Sequence, residues 1–305
     1  MRNSECTAAG SPFRIPHSAF RIRMLIQRVI TALVLLPPVV ATLWFGSTPL
    51  VGAVFGAAAL VAVAEWGALT GVSAAGRPAL LSYVAAAAVL TGLAVWLRES
   101  AMPWVLVIGT CAWWLLMLSW IARYPVGFDD RRPPRWLKAG AGLLVVPGTI
   151  AAVMLLHGAP AAEGGPENSG ALRLLFAFVL VWAADVGAYF AGKAMGRTKL
   201  APAVSPGKTW EGVIGGLALS LLIAAIAGQW LFRLHGGVWL PFLLLCIAVV
   251  LVSIVGDLGE SLLKRQAGVK DSGTLLPGHG GMLDRIDSLL AALPALALGL
   301  RWLGL

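Results

Sequence analysis

Leu234 to Gly256 reads LHGGVWLPFLLLCIAVVLVSIVG, a stretch without a single acid, lysine or arginine. About 20 apolar residues suffice to cross the hydrocarbon core of a bilayer, so this run predicts a transmembrane helix. Its C-terminal side changes character at once. Gly256-Asp257-Leu258-Gly259-Glu260 brings in acid, and Ser261 to Asp287 follows as SLLKRQAGVKDSGTLLPGHGGMLDRID. Cations, a glycine-rich turn with a histidine, and Asp284-Arg285-Ile286-Asp287 crowd beside the span. Dense cations and carboxylates next to membrane spans point to phosphate and metal chemistry.

Similar charge-free runs recur upstream, at Val29–Ala64, Pro78–Leu97, Ser100–Ala122, Ala139–Ala162 and Gly212–Phe232. The first is long enough for most of two spans, with Phe45-Gly46-Ser47-Thr48-Pro49 as the break. Leu172–Gly192 adds a span interrupted by Asp185, and Leu289–Leu305 a shorter last one. Hydrophobic residues are 59% of the chain and charged residues 12%, against roughly 45–50% and about 25% in soluble domains. The expected fold is an all-α polytopic integral membrane protein of about nine transmembrane helices. No polar stretch is long enough for a soluble domain. Residues 24–305 form one membrane-embedded unit, and residues 1–23 a polar extension, either a basic tail or residues ahead of a start at Met24.

Orientation follows from lysine and arginine placement. With the N-terminus in the cytoplasm, nineteen of the 23 Lys and Arg fall on the inner side; Arg98, Arg173, Arg233 and Arg301 fall outside. The net charge of +9 is therefore mostly topology signal, with a share for anionic lipid and substrate. No basic patch interleaved with aromatics suggests nucleic acid. Cys6, Cys111 and Cys246 have neither metal-ligand spacing nor a disulfide pattern. Trp104, Trp136 and Trp239, near span ends, read as interfacial anchors.

Asp185 lies inside a span, where a carboxylate costs at least about 2.5–3.5 kcal/mol unless it faces a partner or a wet cavity. A structural ion pair is the plainer reading, a polar site the sharper one. Glu65 lies nearer a span end and can reach the interface. Ser205-Pro206-Gly207-Lys208-Thr209-Trp210-Glu211-Gly212 precedes the seventh span. It is not a Walker A loop, because the first glycine would fall at Pro202. A hydroxyl, a glycine and a lysine still gather at a helix start, where free N–H groups favour phosphate. A plain cap with a topogenic lysine explains the same residues.

Asp257 closes one expected span and Asp284 opens the next, so a loop folded back on itself would bring both to one cytoplasmic mouth. Mg²⁺ takes one or two carboxylates plus phosphate oxygens and water, which makes these two the candidate metal ligands. Asp287, one helical turn past Asp284, is placed to support them. Gly278-His279-Gly280-Gly281 lets backbone approach a phosphate, and Lys264, Arg265, Lys270 and Arg285 offset its charge. Any one of these cations alone reads as topogenic.

The run Ser261-x-Leu263-Lys264-Arg265-x4-Lys270-Asp271-x-Gly273-x2-Leu276-Pro277-x-His279-Gly280-Gly281-Met282-x-Asp284-Arg285-Ile286-Asp287 resembles the signature of the phosphatidate cytidylyltransferases, the CDP-diacylglycerol synthases. The Ser205–Gly212 segment is similar to a second motif, shared by these enzymes and polyprenol kinases. The resemblance runs from about Met24 onward. It implies the reaction of CTP with phosphatidate to CDP-diacylglycerol and pyrophosphate, dependent on Mg²⁺ and with room for a second cation.

A phosphate monoester is largely dianionic at about pH 7, so no general base is required. Charge neutralisation and in-line positioning are the task. On this reading Asp257 and Asp284 hold metal, and Lys208, Lys264, Arg265 and Lys270 meet phosphates. Ser205 and the His279-Gly280-Gly281 turn position the nucleotide, and Asp185 lines the cavity. The expected partners are CTP, phosphatidate and membrane lipid, with a homodimer left open and the site on the cytoplasmic face of the cell's inner membrane. A CTP-dependent polyprenol kinase would share only the shorter motif. A secondary transporter should show inverted repeats and midplane charges. The CDP-alcohol phosphotransferases need an Asp-Gly-x2-Ala-Arg run, which is missing here.

Overall fold

A computed structural model describes residues 37–124, 133–161, 166–275 and 280–305. A helical segment at 37–45 (α1) is followed by α2 (Thr48–Leu69), α3 (Arg77–Trp96), α4 (Met102–Arg123), α5 (Arg135–His157) and α6 (Ser169–Met195). A short hairpin of β1 (Lys199–Ala201) and β2 (Ser205–Thr209) leads into α7 (Trp210–Trp230), α8 (Trp239–Ala267) and α9 (Leu283–Leu303). Eight of the described helices, α2 to α9, are long and apolar enough to cross a membrane. The first expected span lies partly outside the described residues. Its described end breaks from α2 at Gly46-Ser47, and Pro49 stands in the first turn of α2, where its missing N–H costs nothing.

The α5 helix is the hub, packed against α2, α3, α4, α6 and α9. Proline shapes the contact with α9. Pro294 has no N–H, so the Leu290 carbonyl one turn earlier loses its helical donor. The Trp114 indole N–H (3.0 Å) and the Thr149 hydroxyl (3.2 Å) donate to it instead, tying α4 and α5 to α9. Large apolar side chains on the outer faces, such as Phe45, Leu81, Trp96, Trp230 and Trp302, are exposed, as lipid-facing positions require. Trp136 is exposed at the start of α5, whereas Trp104 lies beneath the Arg301 guanidinium, 4.1 Å from it.

Two spans differ from expectation. The α8 helix does not stop at Asp257 but continues to Ala267, where Gly268 at φ +71° supplies the left-handed cap. Charge does not end it, because Glu260 and Lys264 pair one turn apart along it. The last helix likewise begins at Leu283 rather than Leu289, with its acids inside the first turns. The segment Ser205–Thr209, ahead of the seventh expected span, is an extended strand paired with β1 through Lys199–Thr209 and Ala201–Ser205.

Candidate active site

The α6 and α7 helices touch backbone to backbone. A methyl group on Gly216 would stand 2.6 Å from the Ala184 carbonyl oxygen, and on Gly187 it would overlap that of Gly215. This small-residue seam is the membrane solution to close helix approach. It leaves a cavity of about 400 Å³ flanked by α6, α7, α8 and β2. Asp185 comes from α6, Lys208 from β2 and Asp257 from α8; Val213, Val250 and Ile254 form the apolar wall. The Lys208 ammonium is 2.5 Å from an Asp257 oxygen, and both side chains remain about one quarter to one third exposed, 26% and 30%. The Ser261 hydroxyl donates to the other Asp257 oxygen at 3.4 Å. Thr209 caps α7 by accepting from the Gly212 N–H at 3.2 Å, which fixes the lysine one residue before the cap.

A second cluster joins α8 to α9. The Lys264 ammonium bridges Glu260 (2.6 Å) and Asp284 (2.7 Å). The other Asp284 oxygen accepts from the main-chain N–H groups of Ser272 (3.0 Å) and Gly281 (2.8 Å). Glu65 of α2, buried, reaches the same turn. Its carboxylate accepts from the N–H groups of Met282 (3.0 Å) and Leu283 (2.7 Å) and from the Ser272 hydroxyl (3.1 Å). A carboxylate on the free N–H groups at the start of α9 satisfies donors the helix cannot. The glycines are needed here. Gly280 has φ +82°, and a side chain on Gly281 would collide with Ser272 and Glu65. The two clusters are electrically continuous, because Asp287 lies in the field of Asp257, Lys208 and Lys264.

Among the described residues no group of three or more His, Cys, Asp or Glu is arranged for a metal. Mg²⁺ does not need one, since phosphate oxygens and water complete its shell. Asp257 and Asp185, facing one cavity beside Lys208, fit that requirement. Asp284 does not line the cavity, and both its oxygens already accept hydrogen bonds.

The structure thus gathers Asp185, Lys208 and Asp257 in one place, and Lys264, Gly280, Gly281 and Asp284 in another. Arg265 is turned to the hairpin, its Nε–H donating to the Val204 carbonyl at 3.3 Å. Ser205, Lys270 and Arg285 lie off the cavity, the last two on exposed positions. His279 is outside the described residues. Glu65 and Glu260 were missed by sequence reasoning as members of the cluster. The available signal for both was a carboxylate within an apolar helix, reinforced for Glu260 by its spacing of four from Lys264.

Residues 26–303 match the model of the cytidylyltransferase family. A Pseudomonas aeruginosa protein named phosphatidate cytidylyltransferase is 44% identical over 277 residues, covering 90% of this chain and 96% of that one. Its Haemophilus influenzae namesake is 38% identical, covering 89% and 96%. A Staphylococcus epidermidis protein of the same name is 48% identical over 130 residues, 43% of this chain and 49% of that one. The cavity and the α8–α9 junction both fall inside the matched residues, and the chain belongs to the cytidylyltransferase family.

Proposed function

We propose that this chain transfers the cytidylyl group of CTP to phosphatidate, forming CDP-diacylglycerol and pyrophosphate for phospholipid synthesis. Among the observations on its own residues, the one that carries the reading is the Lys208–Asp257 pair in a cavity shared with Asp185. A lysine for phosphate oxygens beside carboxylates for a divalent cation is the donor set a nucleoside triphosphate requires. The volume of about 400 Å³ lies within the usual range of ligand pockets, roughly 300–1,000 Å³.

A phosphate oxygen of phosphatidate attacks the α-phosphorus of CTP. The bond from that phosphorus to the oxygen bridging to the β-phosphate breaks, and pyrophosphate leaves with the electron pair. Asp257 and Asp185 are the residues that would hold Mg²⁺, with Asp284 ordering the adjoining turn through the N–H groups of Ser272 and Gly281. When bound, the ion would supply neutralisation of the phosphate charge. Lys208 holds phosphate oxygens, and Lys270 and Arg265 add positive charge at the approach. Ser205, through its pairing in the hairpin that carries Lys208, and the Gly280-Gly281 turn, through its bond to Asp284, order the elements around the nucleotide. The apolar wall on α7 and α8 faces the lipid tail, and the cavity opens on the cytoplasmic face of the inner membrane.

Purified protein supplied with labelled CTP, phosphatidate and Mg²⁺ should yield labelled CDP-diacylglycerol and unlabelled acceptor should be consumed in equal amount. ATP and inorganic phosphate should not replace CTP and phosphatidate. Robust ATP-dependent phosphorylation of a lipid alcohol would reject the proposal.

A further inference from the structure

A second cavity, of about 470 Å³, opens where α3, α5 and α9 end and α4 and α6 begin. It lies at the other end of the bundle from the substrate cavity: Arg173, in its lining, is twelve residues and about 18 Å along α6 from Asp185. Three of the four cations that fall outside the positive-inside pattern, Arg98, Arg173 and Arg301, converge there from three different helix ends. Among the described residues of its lining the acidic side chain is that of Glu99, which leans outward, 84% exposed, against Arg98 at 2.9 Å.

Arg173 is the informative member. Only 4% of it is exposed, yet among the described residues it has neither a hydrogen bond nor an ion pair. Its one close polar-type contact is the Phe232 ring, 5.8 Å from the guanidinium carbon. A buried guanidinium without an anion is unfavourable, and these side chains open on a cavity. Arg301 is held on the face of Trp104 at 4.1 Å, which limits its motion at the opposite rim. Leu156 and Leu300 complete an apolar wall below the arginines.

We infer that this cavity binds the phosphate of an anionic ligand, with the headgroup of an anionic phospholipid as the occupant best matched to its wall. Planar guanidinium forks bind phosphate oxygens in pairs, and three of them around one opening exceed what a chloride-sized ion needs. The apolar wall accounts for acyl chain, which a free phosphate does not have. The site is separate from the cytidylyl-transfer chemistry and stands whether or not that assignment holds.

The test uses the whole purified protein in detergent, titrated separately with dihexanoyl phosphatidylglycerol and with inorganic phosphate, binding followed by the thermal unfolding midpoint and by native mass spectrometry. The lipid should bind wild-type protein and Lys208→Gln equally, which separates this site from the substrate cavity. Binding should weaken by about tenfold or more in Arg173→Gln and in Arg301→Gln, as expected for loss of a charge-assisted contact. Should Arg173→Gln fail to fold, Arg301→Gln and Arg98→Gln decide, their folding checked by retained unfolding midpoint without ligand. An equal, arginine-dependent response to inorganic phosphate supports the site and assigns it to free phosphate. Undiminished lipid binding in the arginine variants, loss of binding in Lys208→Gln, or no binding of either ligand to wild-type protein overturns the inference.

Discussion

Glu65 accepts a 2.7 Å hydrogen bond from the main-chain N–H of Leu283, a residue 218 positions later in the chain. One carboxylate on α2 thereby holds the start of α9, the Ser272 hydroxyl and, through that turn, Asp284. The charged motif at the C-terminal end is shaped by a residue from the second helix.

Glu65→Ala should therefore damage both stability and turnover. Leaving buried donors without an acceptor costs about 1–3 kcal/mol, which lowers the unfolding midpoint by several degrees in detergent. Activity should fall at least about tenfold, since the turn carrying Gly280 and Gly281 loses its anchor. Glu65→Gln keeps one acceptor oxygen and should be milder on both measures. Wild-type turnover in Glu65→Ala would show that the turn is held by other means.

Asp257→Asn keeps size and deletes charge. Expected is a loss of about 100-fold or more in cytidylyl transfer, in line with removal of an electrostatic group at the reacting centre, with normal membrane insertion. Raised Mg²⁺ should recover part of the loss. Unchanged turnover with unchanged Mg²⁺ dependence would sink the role given to Asp257.

Lys264 and Asp284 should behave as one unit. Because Lys264 bridges Asp284 and Glu260, Lys264→Met leaves two carboxylates without their cation, and Asp284→Asn loosens both the lysine and the turn. The double variant should lose far less than the product of the two single losses. Fully multiplicative effects on activity would mean that the two residues act separately, for example with Asp284 on a metal.

Gly216→Ala should separate α6 from α7, since the new methyl stands 2.6 Å from the Ala184 carbonyl oxygen. Overpacking of this kind costs about 1–3 kcal/mol and widens the cavity wall, so CTP-dependent activity should drop with stability. Gly140→Ala, which meets nothing within 4 Å, should be silent or slightly stabilising. Equal effects of the two would refute the backbone seam.

In a cysteine-free background, Lys270→Cys should label from the cytoplasmic side and Glu167→Cys from the opposite side. Both positions are exposed at helix-flanking sites. Labelling of both from one face would break the expected orientation.

Hydropathy made the helices legible. A run such as Leu234–Gly256 can satisfy its backbone in a bilayer only as a helix, whatever surrounds it, so fold class and most spans follow from local composition. Helix ends at charged residues were less so. Asp257, Glu260 and Lys264 look like a loop because charge normally leaves the membrane, yet Asp257 pairs with Lys208 on β2, Lys264 with Asp284 on α9 and with Glu260 one turn back, and all three remain helical. The motif residues also stood out by type and order, and Asp185, Lys208 and Asp257 do meet in one cavity.

What sequence could not assign was partnership. Whether Lys264 faces a phosphate or Asp284, whether Glu65 reaches the interface or α9, and which cavity Arg173 lines depend on which helices pack together. The chain alone therefore determined a helical membrane protein with a phosphate-handling segment near its C-terminal end. Tertiary structure decided which charges neutralise one another, because at low dielectric a charge is stabilised by whatever lies within a few ångströms, and those neighbours come from distant helices.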